Sequence, residues 1–222
     1  MNTLSLDLQV LNALAALLLL LSFAMLAQRR IVALVNLLAV QGALLGAATL
    51  LLAARTHETH LYVSAALTLA LKVIVLPRLL HRLIRRLGVY WDTEPLLNIP
   101  GTMLVGLVVV VFAFGVAQPV AALASTATRS AIGIAVAVIL LAFLTMITRR
   151  KAMSQVVGFL SMENGLFFGA MSATYGMPMI VELGIALDVL VAMLVLGVFF
   201  FQIREQFDSL DLQHFESLKE ER

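Results

Sequence analysis

The sequence predicts an all-α integral membrane protein with seven transmembrane helices, and three observations support this class. The chain of 222 residues is 62% hydrophobic and 13% charged, whereas soluble domains are roughly half apolar and a quarter charged. Its mean hydropathy is +1.03. The apolar runs are continuous rather than alternating with a period of two, which is typical of spanning helices.

Apolar windows of roughly 20 residues mark the helices in order. They cover residues 9–27, 31–54, 61–80, 101–123, 130–148, 152–175 and 179–203. The division of 101–148 into two helices depends on Pro119 and on the polar residues 125–129. The start of the sequence lacks the basic leader of a cleaved signal peptide, so we expect the first helix to be retained.

The distribution of basic residues predicts an outer N-terminus and an inner C-terminus, because inner loops of membrane proteins are enriched in lysine and arginine. In this orientation the outer loops hold Arg55 and Arg129. The inner loops and tail hold twelve basic residues, namely Arg29, Arg30, Arg78, Arg82, Arg85, Arg86, Arg149, Arg150, Lys151, Arg204, Lys219 and Arg222. Removing one span from the prediction would destroy this asymmetry.

The chain divides into a transmembrane domain over 1–203 and an acidic tail over 204–222, which is either a solvated end or a docking strip for a cytoplasmic partner. Residues 1–86 form a first three-helix unit, 101–123 a linking helix and 130–203 a second unit. Residues 41–47 resemble 164–170, and 67–73 resemble 183–189. Because four helices separate the matched spans, the pattern predicts a parallel repeat of helices one to three and five to seven.

Glu163 is the first candidate functional residue, because it lies near the middle of the predicted sixth helix. A carboxylate at that depth costs about 3 kcal/mol unless it is paired, protonated or hydrated. Gly158, Ser161, Gly165 and Gly169 form a small-residue face of the kind that packs closely against another helix. We therefore expect Glu163 to point into an interface between helices, as a proton-relay group or as a static, hydrogen-bonded carboxyl.

Lys72 and Asp188 also lie at predicted membrane depth, at equivalent positions of the repeat. Pro77 follows Lys72 and removes a backbone donor, so we expect a loosened helical turn and a hydrated pocket beside the lysine. Lys72 has two candidate partners for an ion pair, Glu163 and Asp188. Two secondary candidates complete the set: Glu182, nearer the outer rim, and Asn164, the neighbour of Glu163.

Several chemistries are excluded by what the sequence lacks. It contains no cysteine, so the chain has no disulfide, zinc–thiolate site or cysteine-ligated iron–sulfur cluster. His57 and His60 lack the spacing of a zinc-binding helix, and no metal site is predicted. No nucleotide-binding loop, nucleophile–base set or haem attachment motif is present. We expect no bond chemistry in this chain alone.

The last third of the chain is similar to a known family. The run from Arg149-Arg150-Lys151 to Glu163-Asn164-Gly165, followed by an acidic residue in the next helix, resembles the K subunit of respiratory complex I. Residues 130–203 correspond to that three-helix subunit, which carries a glutamate in each of its last two helices on a proton-conducting axis. The resemblance implies this role for Glu163 and, with a conservative replacement, for Asp188.

The whole chain, including its charged tail and the segment around Lys72, resembles the family of hydrogenase-4 component E. These are membrane subunits of group 4 NiFe hydrogenases related to formate hydrogenlyase. The resemblance implies a multi-pass protein of the bacterial inner membrane beside antiporter-like subunits and a quinone-chamber-like subunit. It places the NiFe centre and iron–sulfur clusters in soluble partner subunits, with no cofactor in this chain.

On this reading the chain is a non-catalytic subunit of an oxidoreductase complex that contributes Lys72, Glu163 and Asp188 to a proton path. Two other functions stay open. One is a small stand-alone secondary transporter, against which the absence of a pair of Gly/Pro-broken substrate helices counts. The other is a purely structural scaffold. The identity of the transported ion, H+ or Na+, also stays open.

Overall fold

A computed structural model shows helices throughout most of the residues that it describes. The structure describes residues 6–56, 59–88, 90–91, 98–123 and 126–174, together with Leu190, Met193 and Gly197. The chain divides into two compact units, Met1–Ala186 and Leu187–Arg222. In the second unit the three described residues are helical. All elements below belong to the first unit.

Within the described residues of the first unit, seven α-helices follow one another, and one short π-helical segment interrupts the series. The α-helices are α1 (Leu6–Ala27), α2 (Ile31–Thr56), α3 (Thr59–Leu69), α4 (Leu76–Leu87), α5 (Ile99–Leu123), α6 (Thr126–Thr148) and α7 (Ala152–Thr174). The π segment, Ala70–Val75, joins α3 to α4.

Six helical spans in the described part of the chain are long and apolar enough to cross a membrane. They are Gln9–Ala27, Ile31–Arg55, Leu61–Leu87, Ile99–Pro119, Ser130–Thr148 and Ala152–Ala173. These spans match the first six predicted helices, including the division of 101–148 into two. Predicted helix 179–203 lies outside the described residues apart from Leu190, Met193 and Gly197. The chain is therefore a multi-pass membrane protein.

The third span differs from its prediction in length and in regularity. The sequence predicts an end at residue 80, but the helix continues to Leu87 and ends at Gly88, whose φ of 65° is the left-handed conformation that glycine adopts readily. Pro77 does not end the helix, because it lies in the first turn of α4, where a missing N–H is tolerated. The loosened turn that the sequence predicts lies before Pro77, in the π segment. There the Leu76 N–H donates to the Leu71 carbonyl.

Close packing of α6 against α7 follows from the small-residue face of α7. A Cβ added at Gly158 would lie 3.3 Å from the Ala142 carbonyl oxygen, and one at Gly169 would lie 2.9 Å from Ala135 Cβ. The absence of side chains at these glycines thus lets the two backbones approach. The predicted packing role of the small-residue face is confirmed.

The buried core lies among α1, α2, α6 and α7. It includes Leu18, Leu45, Val138 and Phe168, all of which are almost fully buried. In contrast, α5 exposes large apolar side chains along much of its length: Leu104, Leu107, Val108, Val111, Phe112 and Val116. Such a face is suited to contact with acyl chains rather than with water.

Candidate ion-pair site within the membrane spans

Lys72 of the π segment and Glu163 of α7 form a salt bridge in the interior of the protein. The distance from Lys72 Nζ to Glu163 Oε1 is 2.6 Å. The two side chains are 4% and 1% exposed. The sequence left open whether Lys72 pairs with Glu163 or with Asp188. Within the described residues, Glu163 is a partner. Asp188 and Glu182 lie outside them.

Asn164 completes the site as a second acceptor for the lysine. Lys72 Nζ donates to Asn164 Oδ1 at 2.8 Å, and the asparagine is 2% exposed. Its carbonyl oxygen directs one ammonium proton away from the carboxylate. Phe167, one turn further along α7, places its ring centroid 5.7 Å from Nζ, within cation–π range. Lys72 therefore contacts three side chains of α7: a carboxylate, an amide and an aromatic ring.

The position of Lys72 depends on the π segment and on α2. An extra residue per turn widens the helix locally, and such bulges occur frequently at functional sites. On the side of α2, a Cβ added at Gly42 would lie 2.8 Å from Lys72 Cβ and 3.4 Å from the Lys72 carbonyl oxygen. Gly42 thus lets the lysine backbone lie directly against α2. One turn further along α2, Gly46 leaves room for the side chain of Leu69.

Glu163 is buried as the sequence predicts, but in a different interface from its small-residue neighbours. Gly158, Gly165 and Gly169 contact α6, whereas Glu163 contacts the π segment of the third span. The helix therefore uses one side for backbone packing and another for the charged group. The distinction follows from helical geometry, because residues two apart in sequence do not face the same neighbour.

A small cavity adjoins the ion pair. Its volume is about 10 Å³, comparable to one water molecule by the same measure. The lining residues are Leu38, Lys72, Leu76, Leu160, Glu163 and Asn164. Because three of the six carry polar groups, the cavity offers the two or more hydrogen-bond partners that an ordered water requires.

The electrostatics of this site make it responsive to proton transfer. A charge buried in the membrane interior is costly unless it is paired, and removing one partner of a buried pair leaves the other uncompensated, at about 3–5 kcal/mol. Proton transfer from the ammonium to the carboxylate would neutralise both groups together. The geometry permits such a transfer, since 2.6 Å is within hydrogen-bond distance.

A second polar cluster links α1 and α2. Gln41 is fully buried, and its Nε2 donates to Ser22 Oγ at 2.9 Å. Ser22 Oγ in turn donates to the Leu18 carbonyl at 3.0 Å. Gln41 is the counterpart of Asn164 in the predicted repeat, so a buried amide occurs at both positions. Val40, which the predicted repeat aligns with Glu163, is 48% exposed, so an acid at that position would not be buried between helices.

Arg149 has a structural role that its place in a basic run did not indicate. The side chain is 4% exposed, and its Nη2 donates to the carbonyls of Leu26, at 2.9 Å, and Gln28. These carbonyls lie at the C-terminal end of α1, where backbone acceptors lack helical partners and a positive charge is favourable. Arg149 therefore joins the end of α6 to the end of α1.

The fold and the site together define a multi-pass helical membrane protein with a buried lysine–glutamate pair. The chain belongs to the same family as the uncharacterized protein Rv0085 of Mycobacterium tuberculosis, to which it is 38% identical over 194 residues, covering 87% of this chain and 88% of the relative. It is also 31% identical over 117 residues to hydrogenase-4 component E of Escherichia coli and of Shigella flexneri. That match covers 53% of this chain and 54% of each relative, about half of their length. No family model and no solved structure matches the chain significantly.

Proposed function

We propose that this chain is a membrane subunit of an energy-conserving, hydrogenase-4-like assembly related to complex I, and that its buried charges form part of a proton path. The observation that carries the proposal is the Lys72–Glu163 pair, at 2.6 Å and nearly fully buried among membrane-spanning helices. Resemblance to hydrogenase-4 component E over about half the chain supports the class of assembly.

In the proposed mechanism, Glu163 alternates between a carboxylate paired with the Lys72 ammonium and a protonated, neutral carboxyl beside that ammonium. A proton that reaches the site neutralises Glu163 and weakens its hold on the ammonium. Lys72 then retains Asn164 as an acceptor, which limits the cost of losing the carboxylate partner. Release of a proton from the site re-forms the ion pair. The adjoining cavity has room for the single water that would connect this site to the next group.

The topology that goes with this function has seven spans, an outer N-terminus, an inner C-terminus and a parallel repeat. Asp188 in the seventh span provides a further proton-relay group, with Glu182 as a peripheral contributor. The assembly lies in the bacterial inner membrane beside antiporter-like and quinone-chamber-like subunits. Soluble partner subunits hold the NiFe centre and the iron–sulfur clusters.

Co-purification tests the assembly. A tagged chain expressed in its native host should recover large antiporter-like membrane subunits and a NiFe subunit from detergent extracts. Recovery of the chain alone, together with solute uptake after reconstitution in liposomes, would support a stand-alone transporter instead. This experiment depends on no assumption about which residues move protons.

Substitution of the buried charges tests the relay. Glu163→Gln keeps the volume and hydrogen-bonding capacity of the side chain but cannot release a proton, so we expect loss of proton translocation in inverted vesicles while the complex still assembles. The conservative variant Glu163→Asp should retain part of the proton translocation. If Glu163→Gln, Lys72→Met and Asp188→Asn all leave translocation and turnover intact at equal complex levels, the pair is a static structural element and the chain a scaffold.

A further inference from the structure

A second and larger cavity lies at the beginning of α2, and its lining residues take no part in the Lys72 site. Its volume is about 420 Å³. The lining residues are Arg30, Val32, Ala33, Asn36, Tyr90 and Trp91. The cavity lies between the start of α2 and the chain that follows α4. The Ile31 N–H donates to the Tyr90 carbonyl at 3.1 Å, and an isolated antiparallel bridge pairs Arg30 with Trp91.

Arg30 gives this cavity a positive charge that is accessible from outside the protein. The side chain is exposed, and its guanidinium carbon lies 5.0 Å from the centroid of the Trp91 ring. A cation–π contact of this kind orients the guanidinium while leaving its N–H donors available. Tyr90 and Trp91 are themselves 47% and 52% exposed. The positive end of the α2 dipole adds to the attraction for an anion.

The depth of the cavity corresponds to the boundary between hydrocarbon and water. Arg30 immediately precedes the span Ile31–Arg55, and tryptophan and tyrosine are enriched at this level of the bilayer. From Asn36 the exposed face of α2 continues into the membrane with Val40 and Leu50, 48% and 38% exposed. The positively charged cavity therefore leads directly to an apolar stripe.

We propose that this cavity binds the phosphate headgroup of an anionic phospholipid. Arg30 pairs with the phosphate, the aromatic side chains flank the glycerol region, and an acyl chain lies along the exposed face of α2. Both parts of the ligand are needed to explain the surface, since an inorganic anion would leave the apolar stripe without a partner. Basic pockets at the ends of spanning helices are suited to anionic headgroups for the same reason.

The sequence offers a direct probe, because Trp91 is the single tryptophan of the chain. Bromine atoms on a lipid quench tryptophan fluorescence at contact distance. We would reconstitute the full chain in vesicles that contain brominated phosphatidylglycerol or brominated phosphatidylcholine at the same mole fraction. Quenching of Trp91 should favour the anionic lipid by about fivefold in apparent affinity, the effect of one arginine near the surface. The preference should decrease as salt is added.

Two variants separate the site from general charge. Arg30→Gln should abolish the preference for phosphatidylglycerol, whereas Arg55→Gln, which removes one positive charge from the opposite end of the same helix, should retain it. If Arg30→Gln does not fold, the salt titration on the unaltered chain still decides. Equal quenching by the two lipids, or a preference that salt or Arg30→Gln does not alter, would overturn the proposal.

Inorganic phosphate distinguishes a lipid site from a free-anion site. In phosphatidylcholine vesicles, added phosphate should leave the Trp91 emission unchanged. A saturable change in emission on adding phosphate, without any preference among the brominated lipids, would assign the cavity to a free anion and overturn the lipid assignment. The outcome is independent of co-purification and proton translocation, so it does not depend on the proposed function.

Discussion

Gly42 of α2 and Lys72 of the π segment are in direct contact, and the contact depends on the missing side chain of the glycine. A Cβ at position 42 would lie 2.8 Å from Lys72 Cβ, a distance that real side chains do not adopt, and 3.4 Å from the lysine carbonyl carbon and oxygen. The Lys72 Cβ is attached directly to the backbone, so it cannot move aside like the end of a flexible side chain. Gly42 is therefore a positioning residue for the ion pair.

Gly42→Ala is expected to displace Lys72 from Glu163 and to destabilise the protein by about 1–3 kcal/mol, the usual cost of overpacking. Proton translocation should fall more than the amount of assembled complex, because the displaced ammonium no longer meets the carboxylate. Thermal unfolding of the purified chain and translocation in inverted vesicles measure the two effects.

Gly115→Ala is the matched control for Gly42→Ala. No atom lies within 4 Å of a Cβ added at Gly115, which is also in a membrane-spanning helix. Alanine should be neutral or stabilising there, by about 0.5–1 kcal/mol from helix propensity. Equal effects of the two substitutions would contradict the positioning role of Gly42.

Lys72 and Glu163 should show strong energetic coupling in a double-mutant cycle. Lys72→Met leaves the carboxylate buried without its ammonium, which we expect to destabilise by about 3–5 kcal/mol unless Glu163 takes up a proton. Adding Glu163→Gln to Lys72→Met removes both charges and should recover most of this loss. Unfolding of the four proteins in the same detergent provides the measurement. Additive effects of the two substitutions would contradict a direct interaction.

The sequence predicted those features that hydrophobicity and membrane depth determine. The six described spans follow from apolar length, and the burial of Glu163 and Lys72 follows from the cost of exposing charge to lipid. The partner of Lys72 did not follow from the sequence. The ion pair joins residues 91 positions apart, and it depends on how α2, the π segment and α7 pack. Pro77 indicated a loosened turn, but not that the helix would continue to Leu87.

The partners that buried polar side chains find on other helices did not follow from the sequence. Arg149 looks like any other member of a basic run, yet it is buried against α1, whereas the adjacent Arg150 is exposed. No periodic pattern distinguishes the two residues, because their environments are set by the approach of α6 to the end of α1. The partner of Gln41 did not follow from the sequence for a similar reason, since Ser22 lies on another helix.

Arg149→Gln is expected to destabilise the protein through loss of the bonds to the Leu26 and Gln28 carbonyls. Hydrogen bonds to a charged group are worth about 1.5–3 kcal/mol, so the melting temperature of the purified chain should decrease clearly. Arg149→Lys should restore little, since a lysine cannot reproduce the planar set of donors. Arg150→Gln removes the same charge from the same loop and should be nearly neutral. A comparable loss in both glutamine variants would indicate a charge effect on topology rather than a cap on α1.

The orientation and number of spans can be determined by cysteine labelling, because the natural chain has no cysteine that would give a background signal. Thr59 at the start of α3 and Asn98 before α5 are both exposed and lie beyond opposite ends of the third span. In intact cells an impermeant maleimide should label Thr59→Cys but not Asn98→Cys, since basic loops stay inside.

Ser209→Cys in the tail then decides between six and seven spans. With the N-terminus outside, an odd number of crossings places this cysteine inside. It should then be protected in intact cells and labelled after permeabilisation. Labelling without permeabilisation would contradict the seventh span.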